Sequence, residues 1–278
     1  MMPSAALPLS SAAATAAGFG ELRHTAATGS TNDDLVTQAR LGDRSQVVLV
    51  ADHQHAGRGR VGRRWVDASG GPQGSEASLL VSFRLKAPLP DAHGCVAAVS
   101  AAALAAASAA VEGCGSGAAA LRSKWPNDLL ICSPDVDGKL AGVLSETVAG
   151  DPPVVVVGLG MNLAAAPDQP GAAALAQLGT VWGRDRLLAR LLAELPSYLA
   201  DPTAACSDLR AMSATLGSLV RVQLAGGVTV EGVAVDIDAS GRLVLEASGT
   251  GLTGTAPQTI LIDTGDVIHL RDAGSAAN

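Results

Sequence analysis

The chain has 278 residues, enough for one large domain or two smaller ones. Hydrophobic residues make up 48% of it but aromatic residues only 2%, so its core has to be built from Ala, Val and Leu. A net charge of −7 argues against broad nucleic-acid binding and leaves the cations concentrated in a few places.

Met1–Gly18 is rich in Ala, Ser and Pro and lacks the basic start and apolar centre of a signal peptide. A disordered tail over 1–19 is expected. Glu21–Thr28 then leads into Gly29-Ser30-Thr31-Asn32-Asp33-Asp34, a helix N-cap signature ahead of Leu35–Leu41. Capping alone explains these residues. Hydroxyls and free N–H groups at a helix start can also hold a small polar ligand.

Val47–Ala51 reads as a buried strand. It enters a loop in which Gly57, Gly59 and Gly62 alternate with Arg58, Arg60, Arg63 and Arg64. Glycines permit close backbone approach, and guanidinium forks match carboxylate and phosphate oxygens. Such a loop suits an anion, or two anions that would otherwise repel; a solvated arginine loop is the plain alternative. The letters also match the G-x-G-x-x-G dinucleotide pattern, but Arg63-Arg64-Trp65 and then Ser69-Gly70-Gly71-Pro72 cannot supply the helix that pattern needs. His53 and His55 could share one side of a strand, although a metal site takes three or four ligands.

Residues 67–77 are Gly/Ser-rich and expected to be mobile, and Ser78–Leu85 reads as a second strand. Cys95–Val111 approaches the length of a membrane span but is mostly Ala and Ser, so a buried helix between Gly94 and Gly113 is predicted. The four cysteines form no C-x-x-C pair and are expected to be reduced thiols of a cytoplasmic protein. Lys124-Trp125-Pro126-Asn127-Asp128 is unusual. Pro126 lacks an N–H, and a break there between two strand halves would present Lys124 and Asp128 to a cleft. A plain Pro-Asn-Asp turn is the alternative. Asp137-Gly138 signals a tight hairpin, and Lys139–Val148 a strand in which Gly142 leaves room for close approach. Val154–Val157 is the most apolar strand and ends in Gly158-Leu159-Gly160-Met161-Asn162. Gly183–Leu199 has leucines at helical spacing. Beyond Met212, alternating runs separated by Gly226-Gly227 and Ser240-Gly241 predict a small antiparallel barrel.

Ser30-Thr31-Asn32, Gln54 with Gly57–Arg63, Lys124–Asp128, Gly138–Gly142 and Gly158–Leu163, taken in order, resemble the biotin–protein ligases. The resemblance covers about residues 20–270 and is to the monofunctional type, because only about twenty residues precede it, too few for the DNA-binding domain some members carry. It implies an α+β fold: a mixed sheet flanked by helices, class II synthetase-like, over residues 20–211. A small SH3-like barrel over 212–272 and a tail over 273–278 would follow. The implied reaction joins biotin to ATP as biotinyl-5'-AMP, with Mg²⁺, and transfers biotin to a lysine of a biotin carboxyl carrier domain. Neither DNA nor a membrane is expected as a partner, and a monomer or weak homodimer is.

Carried over by motif, Ser30, Thr31, Asn32 and Gln54 would bind or line the site of biotin's ureido ring. Arg58, Gly59 and Arg60 would close over carboxylate and phosphate, and Lys139 would bridge the two as the key catalytic side chain. Gly142, Gly158 and Gly160 would let backbone approach the ligand. Arg58, Arg60, Arg63, Trp65, Lys124, Asn127, Lys139 and Asn162 would form the ATP site, and Asp128 would orient the incoming lysine. No side chains are assigned as metal ligands. A lipoate- or octanoyl-handling enzyme is the near rival, opposed by the arginine loop and the C-terminal strands. A non-catalytic biotin or nucleotide binder is another, opposed by the joint presence of Arg58, Arg60, Lys124, Asp128 and Lys139. Nucleic-acid binding through the arginine loop is opposed by net charge and by the lack of interleaved aromatics.

Overall fold

The computed structural model describes residues 7–68, 74–86, 91–114, 120–247, 258–263 and 265–269. The apolar runs become strands β1 (Glu21–Thr28), β2 (Val47–Gln54), β3 (Ser78–Lys86), β4 (Leu121–Lys124), β5 (Asp128–Cys132), β6 (Asp137–Val148) and β7 (Val154–Asn162). They form one seven-stranded sheet in the order β1-β2-β3-β7-β6-β5-β4. Only β1 and β2 are parallel, so the sheet is mixed. Strand β3 is buried at every position but Lys86, because helices cover both faces.

The two faces differ. Leu79, Val81, Phe83 and Leu85 of β3 share a core with Val157, Leu159 and Met161 of β7 and with helices α3 (Ala92–Val111) and α4 (Arg184–Ala200). The opposite face carries α2 (Thr31–Arg40), whose Leu35, Val36 and Ala39 pack on Val47, Leu49, Val154 and Val156. Alternation therefore sends Leu80, Ser82 and Arg84 toward the α2 side, where every polar position of mid-β3 lies. Beneath the sheet, Asp52 at the end of β2 accepts from Arg184 Nη1 at 2.7 Å and pairs with His24 at the same distance, tying α4 to β1 and β2.

Helix α3 is long and apolar enough to cross a membrane, but 78% of its apolar window is buried, much of it under α4 and α5 (Pro202–Ala211). Its small side chains permit that packing, and the helix begins before Gly94, which it contains. None of the four cysteines, all of them among the described residues, is in a disulfide, and burial pushes the Cys95 thiol up to about 12.

The N-terminal segment departs from the expected disorder. Pro8–Ala16 is helix α1, while residues 1–6 lie outside the described residues. Leu7 cannot cap it, so a side chain from elsewhere does: Asp185 accepts from Leu9 N at 3.1 Å, Ser10 N at 2.8 Å and Ser10 Oγ at 2.6 Å. Leu7 and Ala14 join the main core. Composition alone hides this, because the helix is stabilised by a docking site 175 residues away. Asp185→Ala is expected to lower stability by about 1–2 kcal/mol, the usual cost of a lost cap. Urea denaturation would show it, and an unchanged midpoint would mean that α1 contributes nothing to global stability.

Two further expectations shift. The hairpin between β5 and β6 turns at residues 133–136, where Ser133 N donates to Val136 O at 2.9 Å and Val136 N to Ser133 Oγ at 3.0 Å. Asp137 and Gly138 lie inside β6, opposite Cys132 and Ile131. A Cβ on Gly138 would lie 2.8 Å from Gly171 O, so the glycine serves close approach of a neighbouring segment and not the turn. Of the 67–77 stretch, residues 69–73 lie outside the described residues and Gly74–Glu76 is a 3-10 turn.

The C-terminal strands β8 (Leu219–Gln223), β9 (Thr229–Ile237), β10 (Leu243–Ala247), β11 (Gln258–Ile262) and β12 (Asp266–His269) form an antiparallel sheet in the order β11-β10-β9-β8-β12. Where a barrel is predicted, β11 and β12 are edge strands among the described residues. The predicted tail at 273–278 lies outside those residues. Trp125, from the unusual Lys-Trp-Pro-Asn-Asp run, is buried in the core of this second sheet with Val220, Val222, Leu243 and Leu245. Its indole Nε1 donates to Gly241 O at 2.8 Å. The run thus divides: Trp125 anchors the C-terminal sheet, while Asn127 and Asp128 turn to the α2 side of the large sheet.

Candidate active site

The floor of the site is a set of glycines that register brings together. Gly142 of β6 pairs with Gly160 of β7, and Gly158 lies between Leu144 of β6 and Ser82 of β3. The spaces above these glycines are taken by protein side chains. A Cβ on Gly158 would collide with Asn32 Oδ1, one on Gly160 would lie 2.7 Å from Trp65 Nε1, and one on Gly142 would lie 3.2 Å from Lys139 Nζ. The glycines therefore make room for Asn32, Trp65 and the Lys139 ammonium.

One wall is the start of α2. Ser30 caps the helix, its side chain accepting from Asp33 N at 3.4 Å. Thr31 donates from its backbone N to Gln54 Oε1 at 2.7 Å, and its hydroxyl lies 2.7 Å from Ser82 Oγ. Ser82 Oγ donates to Asn32 Oδ1 at 2.9 Å, and Asn32 Nδ2 donates to Glu146 Oε2 at 3.2 Å. Ser30, Thr31 and Asn32 are all at least 96% buried. Buried polar groups need such mutual satisfaction, and the side chains of the cluster supply it to one another.

The arginine loop forms the second wall. It closes on itself through backbone hydrogen bonds. Gly59 N donates to Arg63 O at 2.7 Å, Trp65 N donates to Gly57 O at 2.9 Å, and Val61 takes a left-handed φ of +52° at the tip. Each arginine goes a different way. Arg58, with a side chain 43% exposed, pairs with Asp33 of α2 and lies 3.0 Å from Glu146 Oε2. Arg60 reaches toward Asn127, Nη1 to Oδ1 at 3.4 Å, and burial draws its pKa down against the pull of Asp266 and Asp128. Arg63 pairs with Asp266 of the C-terminal sheet at 2.6 Å, and Arg64 donates to His55 O at 2.9 Å.

Lys139 stands at the centre. Its ammonium lies 2.7 Å from Asp128 Oδ1 and 5.8 Å from the Trp65 ring centroid, and the side chain is 39% exposed. It lines two adjoining cavities. One, of about 120 Å³, has Thr31, Asn32, Gln54, Ser82, Arg58 and the glycine floor as its walls. The other, of about 140 Å³, lies between Trp65, Asn162 and the Pro167–Ala172 stretch.

Of the predicted site residues, all but Lys124 and Asn162 line the first cavity. Lys124 faces a separate cavity of about 200 Å³ between α3, α5 and the C-terminal sheet, which also touches Arg60, Asn127 and Asp128. Asn162 is 1% exposed and braces the second cavity, its Nδ2 donating to Ala173 O at 3.0 Å. His53 and His55 hold no metal geometry; His53 Nδ1 lies 3.2 Å from Asp67 Oδ1, and no group of three His, Cys, Asp or Glu side chains among the described residues could ligate an ion.

Sequence reasoning passed over Ser82, Glu146, Asp33 and the 167–172 stretch. A serine within an otherwise apolar buried strand was a signal for Ser82, and alternation from Gly142 was one for Glu146. The 167–172 stretch carried none, because Gly138 and Lys139 hold it through long-range backbone contacts, with Lys139 N donating to Gly171 O at 2.6 Å.

The Biotin/lipoate A/B protein ligase family matches residues 26–162, and the Biotin protein ligase C terminal domain matches residues 215–270. A Biotin--[acetyl-CoA-carboxylase] ligase of Mycobacterium tuberculosis is 39% identical over 272 residues, covering 91% of each chain. Another of that name from Paracoccus denitrificans is 39% identical over 139 residues, 45% of this chain and 49% of its own. Among solved structures, the biotin protein ligase from Aquifex aeolicus in complex with biotin and ATP has a TM-score of 0.66 at 23% identity, covering 91% of this chain and 100% of that one. At that identity the likeness is one of fold.

Proposed function

This chain belongs to the biotin/lipoate A/B protein ligase family, and from that premise we propose that it activates biotin with ATP and transfers it to a lysine of a carrier domain. One observation carries the reading: Lys139 lies where a cavity walled by a polar cluster meets a cavity walled by Trp65 and Asn162. An acid whose polar ring sits on Thr31, Asn32 and Gln54 would bring its carboxylate to Lys139 from one side. A nucleotide held by Trp65, Asn162 and the 167–172 stretch would bring its α-phosphate from the other.

In the first step a carboxylate oxygen attacks the α-phosphorus. A new O–P bond forms, the bond to the β-phosphate oxygen breaks, and pyrophosphate leaves. Two anions must approach, so Lys139, Arg58 and Arg60 lower the barrier by neutralising charge that builds on carboxylate and phosphoryl oxygens. Gly59 lets the loop backbone close over them, and Arg63 and Asn127 extend the polar lining toward the phosphates, while Lys124 stands outside it in the neighbouring cavity. Mg²⁺ bound to the ATP substrate would share the phosphate charge with Lys139, Arg58 and Arg60. In the second step the acceptor amine attacks the acyl carbon, the acyl C–O bond breaks, AMP leaves and the amine sheds a proton. Asp128, which pairs with Lys139, would orient that amine.

The acceptor in this reading is the biotin carboxyl carrier domain of an acyl-CoA carboxylase, met in the cytoplasm by a monomer or weak homodimer. A net charge of −7 and the burial of α3 support protein over DNA or membrane as the partner. The chemistry falls within residues 20–211, and the described residues of 212–272 form a second module joined through Trp125.

ATP–pyrophosphate exchange with Mg²⁺ tests this, comparing biotin, lipoate and no acid. Exchange that requires biotin is expected. Exchange driven by lipoate would keep the cationic site but change the substrate, and no exchange from a folded protein that binds biotin would favour the non-catalytic binder.

A further inference from the structure

Ser82 is the one fully buried hydroxyl in the polar cluster that no motif points to, and its hydrogen bonds have a forced direction. Asn32 Nδ2 faces the Glu146 carboxylate and Leu144 O, both acceptors only, so the amide orientation is settled and Oδ1 is turned to Ser82. Ser82 must spend its only proton on Asn32 Oδ1, 2.9 Å away. Thr31 Oγ1, 2.7 Å from Ser82 Oγ, must then spend its own proton on Ser82. Gln54 Oε1 loses nothing, because Thr31 N already donates to it at 2.7 Å. Three contacts share two protons, and the outcome is that the Thr31 oxygen offers only lone pairs to the cavity.

We propose that Ser82 is a positioning residue that makes Thr31 an obligate acceptor and so selects acids whose ring carries an N–H donor. This rests on the biotin reading above. The ureido ring of biotin has such donors, whereas the dithiolane of lipoate has none. Ser82 need not touch the ligand; it acts through Thr31 and Asn32. Gly158 is part of the same device, since a Cβ there would lie 3.2 Å from Ser82 Oγ as well as striking Asn32.

The test is steady-state pyrophosphate exchange with Ser82→Ala and Ser82→Cys beside the unsubstituted chain, with lipoate measured as a competitor of biotin. In Ser82→Ala the Thr31 proton is released toward Gln54 Oε1, 3.1 Å away, and Asn32 Oδ1 loses its donor. KM for biotin is expected to rise about 10- to 100-fold, the range for one lost buried hydrogen bond with its stranded partner. The turnover at saturating biotin and KM for ATP stay unchanged, and the preference for biotin over lipoate falls by the same factor. Ser82→Cys, with the same shape and a weaker donor, falls between. An unchanged KM for biotin and an unchanged preference in Ser82→Ala would overturn the proposal. So would a parallel rise in KM for biotin and ATP in both variants, which would reduce Ser82 to a folding role. Absence of biotin-dependent exchange in the unsubstituted chain would instead overturn the biotin reading, and this proposal with it.

Discussion

Lys139→Ala is expected to slow biotinyl-adenylate formation about 10³-fold, the upper range for losing one preorganised group aimed at developing charge. The ammonium sits where the two cavities meet, 2.7 Å from Asp128, and among the described residues no other lysine lines either one. Its removal leaves Arg58 committed to Asp33 and Glu146, and Arg60 half-buried beside Asn127, so neither can take its place. Folding should survive, because the Lys139 side chain is partly exposed and Asp128 retains some solvent access. Lys139→Arg should not restore the rate: a planar fork is a poor copy of a compact ammonium above the Gly142 floor. Single-turnover formation of the adenylate, with circular dichroism as the check on folding, decides it. Turnover within a few-fold of normal would remove Lys139 from the chemistry.

Gly158→Ala is expected to raise KM for biotin about 100-fold, whereas Gly160→Ala should raise KM for ATP instead. The two glycines are neighbours on one face of β7, but their Cβ atoms would meet different side chains. At Gly158 the methyl would strike Asn32 Oδ1, which accepts from Ser82 Oγ while the buried amide's Nδ2 donates to Leu144 O and Glu146 Oε2. Strand β7 is paired on both sides, by β3 and β6, so the backbone cannot retreat. Asn32 has to leave its place, and the proton order through Ser82 and Thr31 goes with it. Overpacking of this kind costs about 1–3 kcal/mol, and at the upper end that is about 100-fold in affinity. At Gly160 the methyl would displace the Trp65 indole, which walls the nucleotide cavity. Substrate-varied exchange kinetics on both variants checks the split. Equal effects on both substrates from both variants would show that the two glycines do not divide the site.

Much of the architecture was legible because periodicity is local. The Val47 and Val154 runs, the leucine stripe of α4 and the alternating C-terminal strands each report burial on their own residues, and each became the predicted element. The Ser30 cap was equally plain, since capping depends on four consecutive residues. What failed depended on distant partners. Pro8–Ala16 looks like a tail until Asp185 caps it, and Gly138 looks like a turn residue until Gly171 comes against it. Trp125 belongs to a functional motif by its neighbours in sequence but to the second sheet by its packing.

The sequence by itself determined the family, the mixed-sheet class and the chemical character of the site. The family and the mixed-sheet class came through the resemblance that its ordered motifs carry; the cationic character of the site follows from the residue types themselves, guanidinium groups interleaved with glycine and a lysine opening a strand. Tertiary structure alone decided where each cation points, which side chain fills the space over each glycine, and that Ser82 directs the protons of the cluster. The reason is that strand register couples residues far apart in the chain. Ser82, Gly158 and Leu144 lie side by side only once β3, β7 and β6 are paired, and no local pattern encodes that pairing.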